Sequence, residues 1–154
     1  PTRTQPVEPS PADEEIDVES GGEAATESGR VPAIVTDLRT SGGVSYVTLD
    51  YIQFLTGAEA ATAAAARGDE SPPPNDYYII NENPRLREFT VRNGITVKVV
   101  YAPGGASVPE GRTIPLAEWV AAMPGPTGAY YRIPFYWVTL TDGIVTGLEQ
   151  QYLP

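Results

Sequence analysis

From Val44 to Ile52 the chain alternates without a break: Val44, Tyr46, Thr48 and Asp50 fall on one side, Ser45, Val47, Leu49 and Tyr51 on the other. A period of two marks a strand with one face on a core. The stretch "AIVTDL" (33–38) precedes it and "RTSGG" (39–43) joins the two, so the pair reads as a hairpin. The pattern then changes. "TGAEAATAAAARG" opens on Thr56 with Glu59 three residues later, a capping box, and ends on Gly68, predicting an alanine-rich helix over 57–67. "DESPPPN" (69–75) is a rigid loop and "YYII" (77–80) a strand. Residues 87–92 and 95–101 form a predicted hairpin through Asn93–Gly94, because an Asn-Gly pair tolerates positive φ. After a loop over 102–112, "TIPLAEWVAAM" (113–123) is expected to be an amphipathic helix with Pro115 in its first turn. Its apolar stripe is Leu116, Trp119, Val120 and Met123. Residues 135–141 and 144–151 make the last hairpin, turned at Asp142–Gly143.

About seven strands and two short helices predict an α+β, β-rich fold: a mostly antiparallel curved sheet or small barrel. A helix followed by a closing hairpin is similar to an OB-type barrel, from which the early helix and extra strands depart.

Charge divides the chain. Residues 1–30 hold eight acids and two bases and no aromatic, while 31–154 hold twelve acids and eight bases. The first thirty residues cannot bury enough apolar area to offset their ordering entropy, so they read as an acidic, proline-rich tail or tether ahead of one globular domain over 31–154. Within the tail "EEIDVES" alternates, and Ile16 and Val18 equip it to add as a strand to a sheet edge. The acidic balance supplies no cationic face for nucleic acid. No window of about 18 apolar residues spans a membrane. The first residue is Pro1 rather than Met, consistent with a removed leader or with a trimmed chain, and the acidic tail favours export and an N-terminal tether.

The 154 residues include no cysteine and no histidine. Thiolate nucleophiles, histidine-based triads and the usual catalytic zinc sites are thereby excluded. Catalysis would have to use carboxylates, and Asp50, Glu59, Glu118 and Glu149 are candidates for glycoside-type chemistry, with nothing in their spacing to bring them together. Calcium needs six to eight oxygens on a regular loop, and the strand over 77–80 splits Asn75 and Asp76 from Asn81, Glu82 and Asn83. No metal and no cofactor is expected.

Two stretches are candidate binding surfaces. In "NENPRLR" (81–87), Asn81 and Asn83 offer amides and Arg85 and Arg87 offer forks for a carboxylate, phosphate or sugar; the competing reading is an elaborate turn with its arginines paired locally. In "AYYRIPFYW" (129–137), Tyr130, Tyr131 and Tyr136 make an aromatic strip, and Pro134 suggests a sheet edge open to pairing; the alternative is that these rings enter the core.

The pieces "SYVTLDYIQFLTGAEA", "DYYIINENPRLREFTV" and "FYWVTLTDGIVTGLEQQYLP" resemble uncharacterised small exported or lipid-anchored proteins of Gram-positive and related bacteria. That resemblance implies an extracellular or cell-envelope location and no activity. The function expected from the sequence is therefore a non-catalytic, secreted cell-surface protein of structural assembly. The tail, or the 129–137 edge, of one copy would pair with the next copy or with another surface protein. The competing expectation is a monomeric extracellular binding or protease-inhibitor-type module using 81–87; a carboxylate-based hydrolase is the third.

Overall fold

A computed structural model of the chain describes residues 27–102 and 105–153. Nine strands and two helices follow in order: β1 (Gly29–Ser41), β2 (Val44–Tyr51), β3 (Gln53–Thr56), α1 (Gly57–Ala66), β4 (Tyr77–Ile80), β5 (Leu86–Val91), β6 (Thr96–Tyr101), β7 (Ser107–Pro115), α2 (Leu116–Ala122), β8 (Tyr136–Thr141) and β9 (Ile144–Gln150). Ile16 and Val18 lie outside the described residues. Among those described, no helix is long and apolar enough to cross a membrane.

The main sheet runs β5-β2-β1-β8-β9-β6-β7, and a further pairing of β5 with β9 closes its first five strands into a barrel. Numbered within the barrel, the closed order is 1-2-3-5-4, the Greek-key order of an OB-type barrel. β1 makes closure possible by serving two partners. Gly29–Ala33 pair with β8 and Ala33–Ser41 with β2, and a bulge between Val35 and Asp37 bends the strand between its two tasks. The inward positions of the alternation are filled by Val47 and Leu49 of β2, Phe89 and Val91 of β5, Val138 and Leu140 of β8, and Val145 and Leu148 of β9. α2 plugs one end of this core with Leu116, Trp119 and Met123.

Several expectations need correction. Asn93–Gly94 does not close a hairpin, and β5 and β6 do not pair with each other. A two-residue type I′ turn needs positive φ at both positions; Gly94 has φ 84° and Asn93 is not among the positive-φ residues. The chain jogs instead, so that β5 (Thr90, Val91) and then β6 (Val97, Lys98) run parallel to successive parts of β9. β7 is a strand over residues expected as the end of a loop and the start of a helix, and β3 is a strand where no element was expected. β7 pairs with β6 from Thr96↔Pro115 to Tyr101↔Ser107, so Pro115 ends a strand and caps α2 rather than lying inside it. β3 and β4 form a separate two-stranded ribbon, and Thr56, still paired with Tyr77, makes no side-chain cap for α1. The C-terminus of α1 matches expectation: Gly68 (φ 76°) donates to Ala65 O at 3.1 Å and Asp69 to Ala64 O at 2.9 Å, the bond pair of a Schellman motif. The β3–α1–β4 excursion is fastened to the barrel by Phe54, whose ring lies 5.1 Å from Phe135 and 6.2 Å from Trp137.

The 129–137 stretch is not a sheet edge. β8 lies between β1 and β9, with Tyr136 opposite both Ala33 and Gln150. The true terminal strand, β7, is blunted. Its register leaves 108–111, including Pro109 and Glu110, bulged between the pairs Val99↔Arg112 and Tyr101↔Ser107.

Candidate binding site

The end of the barrel opposite α2 collects the start of β1, the end of β2, the start of β5 and the β8–β9 turn. Strand direction dictates this, since β2 runs antiparallel to β1 and β5, and β9 runs parallel to β5. Tyr51, the last residue of β2, turns partly inward. Its hydroxyl donates to Glu27 Oε1 at 2.8 Å, and the Arg87 guanidinium lies 4.3 Å from the centre of its ring. Burial pushes the Tyr51 phenol well above its ordinary range. The hydrogen bond to Glu27 and that carboxylate's charge push the same way, while Arg87 and Arg85 pull against them. Both arginines therefore act on the phenol that donates to Glu27. The chain carrying that carboxylate is held by the β8–β9 turn: Gly143 N donates to the Glu27 carbonyl at 2.7 Å, and Asp142 N to the Ser28 hydroxyl at 2.9 Å.

The polar cluster of 81–87 is thus part turn and part site. Asn83 Oδ1 accepts from Arg85 N at 3.0 Å, an Asx turn, and Arg87 Nη1 donates to Arg85 O at 3.4 Å. Asn81 Nδ2 donates to Asp50 Oδ2 at 3.0 Å, tying the start of the turn to β2. Asn81, Asn83, Arg85 and Arg87 are brought together here. The tyrosines proposed with them are not. Tyr136 is fully buried, accepting from Trp119 Nε1 at 3.0 Å and donating to Tyr131 O at 2.5 Å. Tyr131 is also buried and accepts from Arg112 Nη2 at 2.7 Å. Only Tyr130 of the three is exposed, in the segment leading to β8, away from this end. Tyr131 and Tyr136 are core residues, because burying a phenol whose hydroxyl has partners removes large apolar area from water at no polar cost. Tyr51 was legible as an inward position of β2. Glu27 was one acid among many.

Alongside the site, β5 is only half paired. Leu86–Phe89 form a ladder with β2, while β9 joins β5 only at Thr90 and Val91. The other edge of Leu86–Phe89 has no ladder partner among the described residues, and Leu86 is 54% exposed there.

The outer face of β2 and β5, which OB-type barrels use for oligonucleotides and sugars, is arranged differently here. Its ring, Tyr46, is covered by the Arg39 guanidinium at 4.0 Å, and Arg39 is forked onto Glu88 at 2.7 and 2.9 Å. The candidate carboxylates do not meet. Glu149 sits between Arg30 (2.9 Å) and Lys98 (3.3 Å), Asp50 faces Asn81, and Glu59 and Glu118 lie in the first turns of separate helices. Among the described residues no group of three or more acids could hold a metal ion.

Burial pushes the Glu149 carboxyl up, but bonds from Arg30 and Lys98 outweigh it and hold the group below the ordinary carboxylate range; Glu82 and Glu88 are lowered by Arg67 and Arg39. A folded pKa below the unfolded one stabilises above the unfolded value, and that contribution is lost as pH falls through the folded value. Replacing Glu149 by Gln should therefore flatten the acid limb. Its urea midpoint should drop less than the parent's between about pH 6 and about pH 3.

No family model matches the chain, and no curated protein and no solved structure matches it.

Proposed function

We propose that this is a non-catalytic assembly protein of the cell surface, exported and linked to its neighbours by the acidic arm that precedes the barrel. The observation that carries the reading is the seat of Glu27: a carboxylate of the arm's own root accepts from the Tyr51 hydroxyl, and the Tyr51 ring carries the Arg87 guanidinium at 4.3 Å. The arm brings seven further acids upstream, and the barrel end presents the cations that match them. An acidic arm and a basic acceptor on one chain are the two halves of a head-to-tail contact, which propagates when it does not close on itself. The absence of a catalytic role is supported by carboxylates held ionised by arginines, the opposite of what a general acid needs. The lack of a nucleic-acid partner is supported by the covered Tyr46 ring and the net charge of −10. Export and the kinship with lipid-anchored proteins belong to the same proposal.

Light scattering on the full chain, and on a chain beginning at Glu27, tests it. The full chain should populate dimers or larger species that dissociate as salt rises past the screening range, and the shortened chain should stay monomeric. Monomers from both would remove the assembly role and leave the same surface to a monomeric binding module.

A further inference from the structure

We infer that the open edge of β5 at Leu86–Phe89 is the acceptor for the arm, and that the segment Glu14–Glu19 of this chain is its occupant, added as a strand. The inference rests on the arm reading above for its donor and adds the place and register chemistry of the contact.

Four observations converge. First, the edge is real: β5 is paired on one side only until Thr90, so alternate backbone N–H and C=O groups of Leu86–Phe89 point where no strand lies among the described residues. Secondly, its side chains have a pattern. Arg85, Leu86 and Arg87 alternate cation, exposed aliphatic, cation, and Leu86 is the most exposed large hydrophobic residue described. The segment "EEIDVE" alternates acid and aliphatic, so in one register Val18 faces Leu86 while Asp17 and Glu19 face the two arginines; Glu88, next on the Leu86 face, is already forked by Arg39. Thirdly, the arm leaves from the right place. Its root is fixed at this end by Glu27 on Tyr51 and by the bond from Gly143 N. Finally, the connecting segment is long: the eight residues from Glu19 to Glu27 span up to about 28 Å extended, and Gly21–Gly22 allow a reversal of the chain. Among the described residues β7 and the two strands of the β3–β4 ribbon also have an unpaired side, but β7 is bulged and carries Pro109 and Glu110, and neither ribbon strand carries an arginine.

Because the donor is part of the chain, the same contact can form within one copy or between two, as in segment exchange. The natural absence of cysteine makes the contact directly readable. Two full-length variants would be compared, V18C/L86C and V18C/I133C, the second using a residue of similar exposure (51%) in the segment before β8. Both would be oxidised with oxidised glutathione, which takes up the two electrons released by the thiol pair. Linked peptides are then identified by mass spectrometry and the products separated by size. All three positions are exposed or in the arm, so folding is not at stake. The V18C/L86C link should form, the V18C/I133C link should not, and adding R85E and R87E should lower the first yield by about tenfold.

A V18C/L86C link found in a covalent ladder supports both the acceptor and the assembly role. The same link found only within monomers supports the acceptor and overturns assembly. No V18C/L86C link, or equal linking of both variants, overturns the acceptor on β5, while solution mass still decides assembly by itself.

Discussion

Replacing Trp119 by Ala should cost about 4 kcal/mol, enough to bring a domain of ordinary stability close to unfolding. α2 is seven residues long and has no side-chain cap, so it cannot persist alone and is held by what it buries. Trp119 is fully buried, meets Tyr136 edge-on at 5.7 Å and 75°, and donates its indole N–H to the Tyr136 hydroxyl at 3.0 Å. Truncation removes the ring and opens a cavity in the mouth of the barrel. Replacement by Phe is the control. It keeps most of the volume and loses only the N–H, while Tyr136 still donates to Tyr131 O, so the cost should fall to about 1–2 kcal/mol. Urea unfolding should show a lowered midpoint at unchanged slope for both. A loss below about 1 kcal/mol for the Ala variant would mean that α2 is not the plug described.

Gln150→Glu should be nearly as damaging, and chiefly when ionised. Gln150 is 2% exposed and works in both directions: Oε1 accepts from Val100 N at 2.8 Å, and Nε2 donates to Tyr130 O at 2.7 Å and Ile133 O at 2.5 Å. It pins the segment between α2 and β8 to the end of β9. A carboxylate there turns an oxygen toward two carbonyl oxygens and buries an unpaired charge, at about 3–5 kcal/mol. Burial and the carbonyl dipoles both raise the folded pKa of the introduced group above its unfolded value. The sign is therefore opposite to that of Glu149. The charge's share of the penalty is absent below the unfolded carboxylate value of about 4.3, grows as pH rises above it, and levels off above the folded value; the one carbonyl that a single O–H leaves unpaired costs the variant at every pH. Measured against the parent at each pH, the variant should be far less destabilised at about pH 4 than at about pH 7. Gln150→Leu leaves Val100 N and both carbonyls unpaired without a charge, and its cost should not vary with pH.

Local signals were readable wherever short-range chemistry decides the outcome. Val47 and Leu49 followed from alternation, and Asp142–Gly143 from turn preference, with φ of 51° and 79° as that turn requires. What alternation cannot say is which strand meets which. β5 looked like half of a hairpin, yet β2 and β9 claim its two sides, and closure of a barrel is worth more than one favourable dipeptide. β7 was invisible because Gly105, Pro109, Glu110 and Gly111 suppress strand propensity; it exists because Ile114 meets Val97 on a buried face. The candidate site was half legible for a related reason. Arg85 and Arg87 stand out as a pair in the chain, but Tyr51 and Glu27, which give the pair its role, lie 34 and 58 positions before Arg85 and reach it only through the path of the barrel.

The β3–α1–β4 excursion leaves the barrel after Ile52 and returns at Asn81, and its two ends are neighbours, since Gln53 faces Ile80 across the ribbon. No ladder of the barrel passes through it. Phe54 is its side-chain anchor against Phe135 and Trp137. This makes residues 53–80 a port: a stretch that can be shortened to a tight turn, or exchanged for a segment of other chemistry, while the barrel stays closed. Variation in what such a protein displays can therefore concentrate there, provided that the fork of Arg67 onto Glu82 at 3.2 Å, which ties the excursion to the 81–87 turn, is kept or replaced.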